Sequence, residues 1–299
     1  MIVVRLRGGL GNQLFQYAAG FSLAKHHGVP LKLDLYTYTK HKYRKYELGH
    51  FNIEEHLATR EEVHRFTGSN FLVRFLNKRE NYLRCPGVFA QPHYHFFEDF
   101  LKLPSPLYLS GYWQSEKYFL SIASAIRSMY TLKQPLDARN EALAAEMASG
   151  ESVAVHVRLG DYASNQQYQS FFGTLDAAYY RAAIDHLMQH RSNLRFYVFS
   201  DSVAKAKSMF SDLPHATFVD HNQRDQAYKD LWLMSRCRHN IIANSTFSWW
   251  GAWLNANPNK LVVAPQKWFA REFNRQALPV YPVRLYNTKD LIPASWIRL

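Results

Sequence analysis

Cysteine is nearly absent from this chain: two in 299 residues, Cys85 and Cys237, far apart and with no Cys-x-x-Cys pair. That excludes a disulfide scaffold and a zinc ribbon, and it fits a reducing compartment. Long apolar runs are missing as well. The opening Met1-Ile2-Val3-Val4 meets Arg5, too short a run for a signal peptide, and no stretch approaches the ~20 apolar residues of a membrane helix. No Asp-x-Asp occurs, so the usual carboxylate clamp for a divalent ion on a nucleotide sugar is lacking. There is no Gly-Lys-Ser/Thr, which excludes a P-loop. The 14 histidines read as scattered, and no metal site is expected. Acid is scarce: 24 Asp+Glu face 36 Lys+Arg, a formal charge of +12.

What is present is globular. Hydrophobic residues make up 47% and charged residues 20%, and the length favours about two domains of a cytoplasmic protein. The positive surplus attracts anions, whether nucleic acid, anionic lipid or phosphorylated small molecules. Its densest patch is Lys40, Lys42, Arg44 and Lys45, interleaved with Tyr38, Tyr43 and Tyr46. Basic residues among aromatics suit single-stranded nucleic acid, whose bases stack on rings; a solvated loop has the same composition. No zinc-finger spacing or aromatic sheet motif supports the first reading.

Ile2 to Leu6 reads as a buried strand, followed by the turn Gly8-Gly9-Leu10-Gly11. A helix follows, with Asn12 as its N-cap and Leu14, Phe15, Ala18 and Phe21 on one face, until Gly28 stops it. Val29 to Leu35 is the next strand, completing a β-α-β unit. Residues 36–110, rich in Tyr, Phe, His and Arg, give no clear assignment. The second half is regular. Strands are expected at Val153–Val157, Phe196–Phe199, Thr217–Val219, Ile241–Ala243 and Leu261–Ala264. Helices are expected at Asp176–His190, Val203–Phe210, Gln226–Arg236 and Phe247–Leu254. Strict alternation predicts a parallel sheet with helices on both faces. The polar stretch Met147–Glu151 marks a boundary between domains 1–150 and 151–299. The expected fold is therefore α/β, two Rossmann-like domains facing across a cleft, with ligands beyond the carboxyl ends of the strands.

Four sequence features lie at such strand ends. Arg7-Gly8-Gly9-Leu10-Gly11-Asn12-Gln13 would let backbone amides and a helix start approach an anion or a hydroxyl. A dinucleotide fingerprint fits at Gly9 and Gly11 but fails at Leu14, although Asp34 stands about where a ribose-binding acid would. A tight turn packing helix on strand is the plainer reading. In His156-Val157-Arg158-Leu159-Gly160-Asp161-Tyr162, alternation puts His156 and Arg158 on one side. Arg158 offers a planar fork of donors for phosphate oxygens, and Asp161 can fold back over Gly160 toward it. An Arg158–Asp161 pair that only pins the turn is the alternative. In Asn244-Ser245-Thr246-Phe247-Ser248-Trp249-Trp250, Ser245 or Thr246 can cap a helix whose remaining amides hold a phosphate. Trp249, Trp250 and Trp253 read as core. Asp201 ends another strand, and a carboxylate there can accept the N1 and amino hydrogens of guanine.

Together these motifs resemble the α-1,2-fucosyltransferase family in its soluble bacterial form. Gly8 to Gln13 is similar to the family's opening motif, His156 to Tyr162 to its His-x-Arg-Arg-Gly-Asp signature, and Asp230 to Ser235 followed by Ile241 to Trp253 to its donor-binding block. The likeness runs from Met1 to Asp290-Leu291-Ile292-Pro293. Two positions depart from it: Leu159 stands where a second arginine is common, and Ser202 where a second aspartate is. The resemblance implies a GT-B fold and an inverting, metal-independent transfer of fucose from GDP-β-L-fucose to the 2-hydroxyl of a terminal β-galactoside. It implies a lactose-like or lipid-linked acceptor in O-antigen or other carbohydrate biosynthesis, no cofactor and no nucleic-acid partner. The implied catalytic residues are Arg158, Asn12 and Asp161. Gly9, Gly11, His156, Arg158, Asp201, Ser245, Thr246 and Phe247 would hold the donor. Asp161 is a base candidate by position only; a dissociative reaction needs a late base or none. The competing classes are a basic nucleic-acid-binding protein and a nucleotide-dependent oxidoreductase. Peripheral attraction to anionic lipid of the inner membrane would give the surplus charge a role.

Overall fold

The computed structural model describes residues 1–40, 44–68, 85–159, 173–269 and 287–299. Contacts divide them into two units, the first taking 1–133 and 287–293, the second 134–269 and Ala294–Leu299.

In the first unit the apolar opening forms strand β1 (Ile2–Arg5), whose Ile2, Val3 and Val4 are wholly buried. Helix α1 (Leu10–His27) leads back to β2 (Leu31–Asp34), which pairs parallel to β1 with Arg5 opposite Asp34. Gly20 brings α1 close to the sheet, since a Cβ there would meet Leu31 at 3.0 Å and Val4 at 3.2 Å. Gly28, at φ 61°, closes the helix by donating to Ala24 and Lys25, as the sequence predicts. The predicted N-cap is corrected. Helix α1 starts at Leu10 behind Gly9, and Asn12 lies within its first turn with its side chain turned to other work. The stretch left unassigned supplies α2 (Tyr36–Lys40), α3 (Arg60–Thr67), β3 (Val88–Ala90) and β4 (Leu107–Ser110). Their pairing gives a four-stranded parallel sheet in the order β2-β1-β4-β3. Helix α4 (Ala123–Met129) follows.

The second unit begins before the predicted boundary. Helix α5 (Ala138–Ser149) belongs to it, because Lys229 pairs with Asp137 at 2.8 Å and Asn140 bonds Asn222 at 2.9 Å. The division therefore falls at Lys133/Gln134 rather than at residue 150. Strands β5 (Ser152–Val157), β6 (Arg195–Ser200), β7 (Ala216–Val219), β8 (His239–Ile241), β9 (Val262–Ala264) and β10 (Ile297–Arg298) form one parallel sheet. The helices between them are α6 (Ala177–His190), α7 (Val203–Met209), α8 (Ala227–Arg236) and α9 (Thr246–Leu254). The order β7-β6-β5-β8-β9-β10 is the doubly wound arrangement 3-2-1-4-5-6, so strand order reverses between β5 and β8. Val153, Val155, Val157, Phe196, Val198, Ile241 and Val263 form its core with Tyr180, Ala183 and Leu187 of α6. The α/β expectation holds in both units. Strand β8 ends two residues earlier than expected; Ile242 and Ala243 are apolar because they are buried, beyond the ladder.

Candidate functional site

Arg158, the residue after β5, donates from its guanidinium to Ser245 Oγ at 3.2 Å, just beyond β8. That contact sits at the reversal of strand order, where a crevice forms because neighbouring loops diverge to opposite faces. Ser245 occupies the N-cap position of α9 but makes no side-chain capping bond; its hydroxyl serves the arginine instead. His156 lies on the same side as Arg158, as strand alternation requires, with its ring centroid 5.7 Å from that of Phe247. Thr246 stands between Ser245 and Phe247, half-buried in the first turn of α9. Asp201, one residue past β6, accepts the Leu159 amide at 2.8 Å, so one carboxylate oxygen fixes the chain after Arg158. Of the predicted donor residues, His156, Arg158, Asp201, Ser245, Thr246 and Phe247 therefore gather at one end of the second sheet. Asp161, Gly160 and Tyr162 lie outside the described residues.

The electrostatics of this cluster are distinctive. Burial pushes the His156 imidazole down to about 4, with Asp201 opposing and Arg158 reinforcing the shift. The ring is neutral at pH 7, and its Nδ1 is buried with no hydrogen-bond partner among the described residues. A buried, unsatisfied ring nitrogen beside a guanidinium suits a hydroxyl or phosphate group of a ligand. It also predicts a pH effect. Between pH 6.5 and 4 the unfolded chain takes a proton at His156 that the folded chain refuses, so stability falls as pH falls. The contribution lost between pH 7 and pH 5 is about 2 kcal/mol. Urea midpoints at both pH values, compared between the parent and His156→Gln, check this. The difference cancels His95, His221 and His239, whose burial lowers them too.

In the first unit, Gly9, Gly11 and Asn12 join β1 to α1. Gly8, at φ 82°, is the glycine that the turn requires: a Cβ there would also meet Asn12 Nδ2 at 2.5 Å. Gly9 has an ordinary φ of −80°. The start of α1 already has an acceptor from the chain itself. The Glu47 carboxylate, pushed up by burial, accepts the Leu10 amide, and the Glu47 amide donates to Gln13 Oε1 at 2.9 Å. Asn12 Oδ1 accepts from Gln114 Nε2 at 2.7 Å.

Other sequence candidates are engaged structurally. Both oxygens of Asp34 are taken, by the Tyr36 amide at 2.9 Å and the Tyr108 hydroxyl at 2.6 Å, which leaves the ribose-binding reading without its acceptor. In the basic stretch, Tyr38 donates to the Gly8 carbonyl and Tyr46 to Glu55, so two of its three rings serve internal contacts. Tyr43 lies outside the described residues. Trp249, Trp250 and Trp253 are buried, as expected of core. One pair departs from the scattered histidines: His186 and His190 stand four apart on α6, with ring centroids 4.4 Å apart. His190 Nδ1 lies 2.7 Å from the His186 carbonyl, and among the described residues no third ligand joins them. Gln114, Tyr94, Gln91 and Glu47 also take part around the start of α1 and the segment after β4, beyond the residues the sequence singles out. The run Gly111-Tyr112-Trp113-Gln114, one residue after the apolar Leu107-Tyr108-Leu109, is a signal for Gln114 alone.

Among the described residues no helix is long and apolar enough to cross a membrane. The sequence matches the family described as Glycosyl transferase family 11 over residues 1–281. An α-1,2-colitosyltransferase of Escherichia coli is 34% identical, over 100% of this chain and 99% of that protein. The O-antigen biosynthesis glycosyltransferase WbnK of Escherichia coli is 32% identical, over 98% and 99%. The human galactoside α-(1,2)-fucosyltransferase 1 is 29% identical over 57% of this chain and 49% of its own length.

Proposed function

The chain belongs to glycosyl transferase family 11, and on that premise we propose that it moves L-fucose from GDP-β-L-fucose to the 2-hydroxyl of a terminal β-galactoside, with inversion. The observation that carries this reading is the Arg158–Ser245 contact at the reversal of the second sheet. As the sugar C1–O bond breaks, positive charge spreads over C1 and the ring oxygen, and negative charge collects on the GDP phosphates. A guanidinium held in one plane by Ser245 meets that second charge without reorganising, together with the amides that open α9. Neutral His156 contacts the donor, and Asp201 reads guanine.

The first unit takes the acceptor, the division of labour of a GT-B enzyme. With Glu47 on the Leu10 amide, Gly9 and Gly11 approach the donor sugar rather than its phosphates. Asn12 stands at the reacting centre and Asp161 is the base candidate. On this reading no metal takes part, and the surplus charge draws the protein to an anionic membrane surface that carries a lipid-linked acceptor.

The colitosyltransferase likeness sets up the sharpest test, because colitose is L-fucose without its 3-hydroxyl. Purified protein is supplied with GDP-fucose or GDP-colitose and a panel of β-galactosides, with and without EDTA, and linkage is read by NMR. The expected result is a Fucα1-2Gal product, EDTA-insensitive, with kcat/KM for GDP-fucose above that for GDP-colitose. A higher kcat/KM for GDP-colitose overturns the donor assignment; a product linked elsewhere overturns the acceptor assignment.

A further inference from the structure

The strands of the second sheet all run parallel, so its two ends differ in kind. Arg158, His156 and Asp201 belong to the carboxyl end, where such sheets bind their ligands. The donor reading makes no use of the amino end. That end nevertheless holds an open depression of about 380 Å³, lined among others by Glu151, Arg191, Ser192, Arg238, His239 and Asn259. These residues stand where the chain enters β5, β6, β8 and β9. The length of β5 separates the depression from Arg158, about 20 Å for a six-residue strand at ~3.3 Å per residue.

Its floor is a histidine that stays neutral. His239 is 1% exposed. Nδ1 accepts the Leu261 amide at 3.0 Å, which puts the ring proton on Nε2, and Nε2 donates to Glu151 Oε2 at 3.1 Å. Burial lowers the ring's proton affinity against the pull of Glu151, and the charges of Arg191 and Arg238 both reach it and add to the lowering. His239 therefore holds the Glu151 carboxylate in place without cancelling its charge. The backbone of Arg238 is fixed on both sides. Its amide donates to Ser152 Oγ at 2.9 Å, and its carbonyl accepts from Asn255 Nδ2 at 3.2 Å and Asn257 Nδ2 at 3.1 Å.

The donors above this floor are uncommitted. Arg238 Nε lies 3.7 Å from Glu151 Oε1, and its two terminal nitrogens make no hydrogen bond among the described residues. Arg191 gives one terminal nitrogen to the His190 carbonyl at 2.8 Å. Its other terminal nitrogen, the Ser192 hydroxyl and the Asn259 carboxamide make no hydrogen bond among the described residues. Two guanidiniums against one carboxylate leave one positive charge. A ligand carboxylate offers two oxygens in one plane, whereas donors arriving from separate segments suit a tetrahedral anion, whose oxygens point several ways.

We infer that the amino end of the second sheet is a second ligand site, which takes a phosphate group between Arg191 and Arg238. Ser192 and Asn259 donate to its remaining oxygens, and Glu151 opposes its charge. A free phosphate and a phosphomonoester lipid head group both present this chemistry.

The test is calorimetric titration of inorganic phosphate into the purified protein at low salt, with excess GDP present. The variants are Arg191→Ala, Arg238→Ala and Glu151→Gln. The parent binds phosphate saturably, and each arginine variant binds it about tenfold more weakly or worse. Glu151→Gln keeps an acceptor for His239 and removes the opposing charge, so phosphate binds about threefold more tightly. A misfolded variant cannot show that gain. Co-sedimentation with vesicles of phosphatidylcholine and phosphatidic acid in equal parts, against phosphatidylcholine alone, identifies the source. Vesicle binding lost along with phosphate binding in Arg238→Ala assigns the site to a lipid head group; vesicle binding that is absent from the parent or kept in this variant assigns it to a soluble phosphate. No saturable phosphate binding in the parent overturns the inference. Parental affinity in both arginine variants, or no gain in Glu151→Gln, overturns it too.

Discussion

Arg158→Ala lowers kcat for fucosyl transfer by about 100- to 1,000-fold, the usual cost of deleting one fixed donor from a developing anion. GDP-fucose affinity falls less, by about tenfold, because the ground-state sugar diphosphate is less charged at the bridging oxygen than the departing one. The geometry behind this is specific. One guanidinium nitrogen is already committed to Ser245 Oγ at 3.2 Å, which fixes the plane of the fork. Lysine has no such plane, so Arg158→Lys recovers little of the rate. Ser245→Ala removes the fixing group and not the charge, and its loss is smaller and not additive with that of Arg158→Ala, since the two act as a unit. Single-turnover rates with GDP-fucose and a β-galactoside, alongside GDP-fucose titrations without acceptor, check all three variants. If Arg158 only pins a turn, the alanine variant loses thermal stability and keeps kcat within about threefold; that result sinks the assignment.

Chemistry was legible in this sequence wherever it coincided with regular secondary structure. His156, Arg158, Ser245 and Phe247 could be placed because β5 and α9 carry unambiguous patterns, a run of Val on the strand and three Trp within one helix. Alternation on β5 then puts His156 and Arg158 together with no further information. The contact of Ser245 with Arg158, in place of the expected capping bond, was not legible, because an N-cap hydroxyl and an arginine acceptor look identical until the partner strand is in place. The first unit is harder for a physical reason. Strands β3 and β4 are short, and β3 is only half-buried, so no period shows against the surrounding aromatics. The anchoring of Asn12 by Gln114 spans 102 positions. Nothing local announces such a contact. Glu47 is similar: it serves the first turn of a helix that begins 37 residues before it, at Leu10. The boundary near residue 150 was read from polarity, whereas the unit divides where α5 docks on α8, a choice made by Asp137, Asn140 and Lys229.

Trp249→Ala destabilises the second unit by about 3–5 kcal/mol, enough to consume much of the ~5–15 kcal/mol that a domain usually has. Trp249 is wholly buried and is the hub of an indole cluster, with ring centroids 5.0 Å from Trp250, 6.2 Å from Trp253 and 5.4 Å from Trp296. No neighbour can fill the space, because the surrounding indoles are rigid and α9 is already tight against α8. At Gly251 even an added Cβ would meet Met234 at 2.9 Å. The helix cannot sink into the cavity, so the cavity stays and the full cost is felt. The consequence for function follows from the position of α9. Ser245, Thr246 and Phe247 open this helix, and the indoles beneath are what hold its start against Arg158 and His156. Below its melting temperature, the alanine variant therefore binds GDP more weakly although no residue that would touch the nucleotide has changed. Trp249→Phe keeps an apolar ring in the space and recovers most of both losses. Urea unfolding followed by far-ultraviolet dichroism gives the stability difference, and GDP titration at 10 °C gives the coupling. A loss below about 1 kcal/mol, or parental GDP affinity in a destabilised Trp249→Ala, separates the indole cluster from the site and refutes the link.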